Sequence, residues 1–178
     1  MRASTLQVVP VEWHHPDAAS LRDAMVAEIE HRYADRISDP RQRSPQTSVE
    51  SATVAYTALA YLDQTPVGHV ALRHHFGDIE LKRMYVAPAA RGTGVGAALL
   101  SAAESAARAA GATRILLHTG DRQPEAVRLY QRHGYRPVPL FPPYDTIPGS
   151  LCFAKPLGDN AEPRMGHVRA DLDPDDYR

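Results

Sequence analysis

The chain has 178 residues, 43% of them apolar and 23% charged, the proportions of one ordinary globular domain, which excludes wholesale disorder. Twenty Lys and Arg against 21 Asp and Glu give a formal charge of −1, which argues against a sequence-independent nucleic-acid binder, since that reading needs a basic excess. The single cysteine, Cys152, excludes an internal disulfide or a multi-cysteine metal site and suits a reducing compartment.

Residues 1–10 lack a secretory signal, and no later run reaches the ~18–20 apolar residues of a membrane span. The expectation is a cytoplasmic protein that contacts neither membrane nor nucleic acid. Residues 6–12, with Val8, Val9 and Val11, read as a first strand. Pro16 and Asp17 then open a helix on which Leu21, Met25, Ile29 and Tyr33 share a face. Residues 39–50 are polar with two prolines, a loop by composition. Residues 53–62, 67–74 and 79–86 read as three successive antiparallel strands, joined by turns at 63–66 and 76–78.

The period then changes. After Ala87 and Pro88 come glycines at 92, 94 and 96, followed by Val95, Leu99, Ala103 and Ala106 at helical spacing, with Gly111 as the stop. Residues 115–118 form a short apolar strand and 124–133 a helix ended by Gly134. Residues 138–140 and 151–155 are the last strands, with a Pro-rich loop at 141–149 between them. Beyond Gly158, Asp and Glu outnumber Arg and apolar residues are sparse, so residues 1–157 are expected to be the domain and 158–178 an acidic, mobile tail.

Residues 80–97 carry the strongest chemical signal. A strand, a glycine-rich turn and a helix N-terminus together present free N–H groups and a positive dipole end, a combination that binds phosphate. Glycines 92, 94 and 96 let main chain approach an anion, and Arg91 adds a cationic fork. Gly92 to Ala97 also satisfies the G-x-G-x-x-A dinucleotide fingerprint, with Asp121 at the end of the next strand. Against that reading, the preceding strand is polar and alternating, Pro88 to Ala90 separate it from the glycines, and too little chain follows Asp121 for a second half-sheet. A nucleotide P-loop fails, because no Gly-Lys-Ser/Thr follows.

On these residues the sequence resembles the GNAT superfamily of acyl-CoA-dependent N-acetyltransferases. Arg91-Gly92-Thr93-Gly94-Val95-Gly96 is similar to its Arg/Gln-x-x-Gly-x-Gly/Ala pyrophosphate loop, and Met84-Tyr85-Val86-Ala87-Pro88 to the strand before it. Pro124-Glu125-Ala126-Val127-Arg128-Leu129-Tyr130 and Gly134-Tyr135 resemble the family's second helix motif and the turn after it, with Gln123 where many members carry Asn. The similarity runs from residue 53 to 157 and implies a mixed α/β fold, with a largely antiparallel sheet whose neighbouring strands splay around acetyl-CoA.

The resemblance places a diphosphate on the amides of Gly92, Thr93, Gly94, Val95, Gly96 and Ala97, with Arg91 alongside. It lays the pantetheine arm along Met84, Tyr85 and Val86, with Gln123 and Ala126 also facing the cofactor, and gives the Val86 N–H the thioester carbonyl. It makes Tyr130 the acid that protonates the departing thiolate and Glu80 the base that, through water, takes a proton from the amine. A small-molecule primary amine, such as an amino acid, is the implied acceptor, and a homodimer is a family habit. The competing role for Tyr130 is a core tyrosine, and for Glu80 a strand ion pair with Lys82 or an arginine.

Arg73, Lys82 and Arg83 could bind an acceptor carboxylate, but alternation sets Arg83 on the face opposite Glu80 and Lys82 unless a bulge intervenes. Tyr33 and Tyr144 are candidates to line the acceptor groove. The histidines show no metal-ligand spacing, so no metal is expected. Cys152, in an apolar strand, reads as a buried inert thiol. Two other readings remain open at this level: a non-catalytic acyl-CoA-binding module and a nicotinamide-dependent enzyme.

Overall fold

A computed structural model describes residues 4–36 and 48–158. The expected acidic tail, apart from its first residue, and most of the expected polar loop at 39–50 lie outside the described residues. The elements in chain order are β1 (Leu6–Pro10), α1 (Pro16–Arg32), β2 (Val54–Leu62), β3 (Thr65–His75), β4 (Asp78–Val86), α2 (Val95–Ala109), β5 (Arg114–Gly120), α3 (Pro124–Arg132), β6 (Arg136–Val138) and β7 (Ser150–Pro156). The strands form one seven-stranded sheet in the order β1-β2-β3-β4-β5-β7-β6. Every neighbouring pair is antiparallel except β4 and β5, which is the expected mixed, mostly antiparallel architecture.

Two boundaries differ from the sequence reading for local reasons. Leu62 pairs with Thr65, so Asp63 and Gln64 alone make the turn, with φ of 48° and 68°. A two-residue turn with both φ values positive matches the right-handed twist of the flanking strands. Pro66 therefore lies inside β3, next to a register irregularity at Ala60/Tyr61 that accommodates its missing N–H. The strand expected at 138–140 is instead Arg136–Val138, and its Pro137 is tolerated because β6 is an edge strand.

The two sheet faces are covered differently. On one face α2 buries Val95, Leu99, Ala103 and Ala107 against Val70, Leu72, Leu81, Ile115, Leu117 and Phe153. On the other, α1 packs Ala18 and Leu21 on Leu59, with Tyr61 and Tyr85 at the margin. None of the helices among the described residues is long and apolar enough to cross a membrane.

Close approach of α2 to β3 depends on Gly68. A Cβ there would lie 2.8 Å from Leu99 Cδ1, 3.0 Å from Val95 Cγ1 and 3.3 Å from the Tyr85 carbonyl oxygen. The first two are fully buried side chains and the third is main chain, so none can give way freely. Gly68→Val is expected to lower stability by about 1–3 kcal/mol through overpacking, read as a lower urea midpoint with an unchanged m-value; an unshifted midpoint would contradict this packing.

Candidate active site

β4 and β5 pair over only Ile79↔Ile115, Glu80↔Leu116 and Leu81↔Leu117. Beyond that point β4 stays with β3 as far as Val86 and β5 stays with β7 as far as Gly120, so the two strands part as a wedge. A cavity of about 480 Å³ occupies the opening. Met84, Tyr85 and Val86 line its strand side, Arg91, Gly92, Gly94, Gly96 and Ala97 its loop side, and Gln123, Ala126 and Tyr130 the α3 side. The two separated sequence motifs thus meet across one space.

Thr93 and Val95 support the loop from behind. The Thr93 hydroxyl donates to the Ala90 carbonyl at 2.7 Å, and the Val95 side chain is fully buried in the core. Gly92 and Gly94 have φ of 79° and 91°, a conformation that a Cβ would strain. Gly94 is also the N-cap of α2 and offers no side-chain acceptor, so the first-turn N–H groups have no side-chain cap. An uncapped N-terminus beside Arg91 is a fitting seat for a diphosphate.

Helix α1 also borders the cavity, through residues that the sequence did not single out for it. Met25, Glu28 and Ile29 line it, as do Arg128, Arg132 and His133 from α3. Glu28 receives Arg91 Nη2 at 2.6 Å and Arg32 Nη2 at 2.6 Å. Partial burial opposes its charge, but the two guanidinium groups outweigh that and hold its carboxyl below the ordinary range. The stripe Leu21, Met25, Ile29 was legible as a helix face; that its later half meets a cavity was not. Arg91 Nε donates to the Val86 carbonyl at 2.9 Å, occupying a strand-edge acceptor that β5 leaves vacant.

Tyr130 is buried at the cavity wall, its ring near Tyr135 and Phe153. Burial pushes its phenol pKa up, and no group among the described residues hydrogen-bonds its hydroxyl.

On the α1 side of the sheet the alternation argument fails for a visible reason. His69 pairs with Tyr85 but Ala71 with Lys82, so β4 carries an extra residue there, and Arg83 has φ of 52°. This bulge brings the Arg83 charge under the influence of Arg73 and Tyr144, the partners of Glu80. Arg73, Lys82, Tyr144 and Glu80 form one contacting cluster, with the Arg83 charge acting on it at longer range. Glu80 is 0% exposed; its Oε2 accepts from Arg73 Nε at 2.7 Å and its Oε1 from the Tyr144 hydroxyl at 2.5 Å. The expected strand ion pair is thus present, with Arg73 as its nearer member.

The Tyr144 hydroxyl also accepts from Lys82 Nζ at 2.7 Å and Arg73 Nη2 at 3.1 Å, and its ring stacks on His118 at 3.9 Å. Lys82 and His118 are the first residues of their strands past the last ladder pair, so Tyr144 bridges the apex of the wedge. Tyr33 has a different place: its hydroxyl accepts from the Arg122 N–H at 3.0 Å and it packs over Gly120, pinning the end of α1 to the turn before α3. Cys152 is buried and burial raises its thiol pKa.

This antiparallel sheet with one short parallel pair leaves no place for the doubly wound dinucleotide fold. Residues 19–135 match the acetyltransferase (GNAT) family, and the chain belongs to that family. An IAA acetyltransferase of Azospirillum brasilense is 42% identical over 90 residues, a match spanning 51% of this chain and 59% of the relative's length. Among solved structures, a Klebsiella pneumoniae protein assigned as an acyl-CoA N-acyltransferase superposes with a TM-score of 0.68 at 29% identity, covering 86% of this chain and 99% of that one. PaiA N-acetyltransferase of Thermoplasma acidophilum, solved in complex with coenzyme A, shares the fold at a TM-score of 0.63 and 17% identity, covering 85% of this chain and 99% of that one.

Two histidines, buried His69 and partly buried His118, frame the polar cluster. His69 Nδ1 lies 2.7 Å from the Arg83 carbonyl and Nε2 lies 3.2 Å from Arg22 Nη1. A carbonyl can only accept and a guanidinium only donate, so the ring is neutral with its proton on Nδ1. Burial lowers the pKa of both His69 and His118 to about 4. In the unfolded chain each takes a proton near the ordinary 6.5. Stability attributable to these rings is therefore intact above pH 6.5 and drains away as pH falls toward 4. Each contributes a slope of up to about 1.4 kcal/mol per pH unit. Urea unfolding from pH 7 to 4.5 should show this loss, and His69→Gln should reduce the slope; a flat profile above pH 5 would refute the neutral assignment.

Proposed function

We propose that this protein transfers the acetyl group of acetyl-CoA to a primary amine of a small metabolite, an amino acid or a compound of similar size. The observation that carries the reading is the convergence, in one cavity, of the uncapped α2 N-terminus, the unpaired edge of Met84–Val86 and Tyr130. Acetyl-CoA supplies the activated acyl group as a thioester. The amides from Gly92 to Ala97 and the guanidinium of Arg91 hold its diphosphate, Arg91 exchanging its contact with Glu28 for the ligand. Main chain at Met84, Tyr85 and Val86 binds the pantetheine arm as a strand would, with Gln123 and Ala126 opposite. The Val86 N–H polarises the carbonyl that is attacked.

Tyr130 donates its phenolic proton to the departing sulfur. Its position among apolar rings suits an acid that must stay protonated at neutral pH. Glu80 is the base and acts through water, because its own carboxylate is sealed from bulk solvent and held by Arg73 and Tyr144. An alkylammonium with pKa near ~10 needs such a proton sink before its nitrogen can attack. A module that binds acyl-CoA without turnover would use the same loop, but would have no need for a tyrosine on the cavity wall.

Thiol release from acetyl-CoA, measured over a panel of primary amines, tests the reading; no release with any amine despite CoA binding would favour the binding module. Tyr130→Phe should lower kcat by about 10²-fold while the Kd for CoA stays within about twofold; an unaltered kcat removes Tyr130 from the acid role. Arg91→Ala and Gly94→Val should each weaken CoA binding by about tenfold or more, and unchanged affinity in both would undo the loop assignment.

A further inference from the structure

We propose that the acceptor amine carries a carboxylate, and that Lys82 seats this carboxylate at the apex of the wedge between β4 and β5. The identity of the bound molecule as an acetyl acceptor rests on the reading above; the anion seat rests on its own geometry. The Lys82 side chain is 8% exposed, yet its ammonium has only the Tyr144 hydroxyl at 2.7 Å and a distant Glu80 oxygen at 3.7 Å. An ammonium has three donors, so at least one N–H of a buried cation has no acceptor among the described residues.

The charge balance points the same way. Among the described residues, Glu80 is the one carboxylate in ion-pair range of both Arg73 and Lys82, and Arg73 takes its better-placed contact. One acid therefore faces two cations, with Arg83 adding positive potential and His69 and His118 contributing no charge at neutral pH. A buried excess charge is costly unless an ion of opposite sign arrives. A single carboxylate matches the excess of the Arg73–Lys82–Glu80 set and can accept from the unused Lys82 donor. Burial lowers the Lys82 ammonium to about 8, so it remains protonated at pH 7 and available to an anion.

The position is the useful one. Lys82 stands at the first step where β4 and β5 no longer bond, on the α1 side of β4, where Tyr85 of the cavity wall also lies. A carboxylate held there leaves the rest of a small amine free to extend along the opening toward Tyr130.

Matched amines test the proposal: amino acids and their amides titrated calorimetrically into the protein saturated with CoA. The carboxylate member of each pair should bind at least about tenfold more tightly. Lys82→Met should erase that preference, Lys82→Arg should restore part of it, and both should keep the CoA affinity of the native chain. If Lys82→Met does not fold, Lys82→Gln makes the same comparison. Equal binding of acid and amide, or a preference that survives in the folded variants, overturns the carboxylate seat. Thiol release with amines regardless of a carboxylate removes the seat and leaves acetyl transfer standing. A Lys82-dependent preference without thiol release from any amine keeps the seat and removes acetyl transfer.

Discussion

The structure turns on a ladder that stops early. Three residue pairs join β4 to β5, and every feature of the candidate site follows from the parting beyond them. A strand in the middle of a sheet normally has both edges occupied, because an unpaired N–H or carbonyl away from water is costly. From Met84 to Val86 one edge of β4 still bonds β3 while the other faces a cavity. That free edge is a template for a ligand with amide groups of its own. Arg91 occupies part of it by donating to the Val86 carbonyl, which shows how strongly the edge demands a partner.

The second constraint is the bulge at Arg83. One additional residue in β4 reverses the sense of alternation, so Met84 and Val86 join the apolar core face although they follow Lys82 at even spacing. The Arg83 charge lies within electrostatic range of Arg73 and Tyr144. The bulge thus sorts β4 into an interior polar segment, which carries the charged cluster, and an outer segment whose main chain lines the cavity. Its carbonyl is not wasted, since it accepts from His69 and fixes that ring in the neutral form.

Helix α1 links the two halves. Arg32, Asp35 and Arg36 tie its end to Arg122, Glu125 and Asp121 around the turn that begins α3, while Glu28 reaches the arginine of the glycine-rich loop. Pairs at this level of exposure contribute little individually to stability. Their placement still gives α1 a fixed position across the cavity, so the loop, α3 and the polar cluster share one roof.

Much of this was legible in the residues. The change from period two to helical period after Val86, the glycines with Arg91, and the Tyr130–Tyr135 spacing are local patterns, and they determined the order of elements, the glycine-rich loop and the family resemblance. Local chemistry also marked the turn after Leu62 and the burial of Cys152. Only the tertiary structure decided that Glu28 and the basic residues of α3 border the cavity, that Tyr33 braces a turn while Tyr144 spans two strands, and that Arg83 sides with Lys82. These facts depend on where strands separate and where one residue is inserted out of register. Both are settled by pairing and packing between segments far apart in the chain, which no window of neighbouring residues encodes.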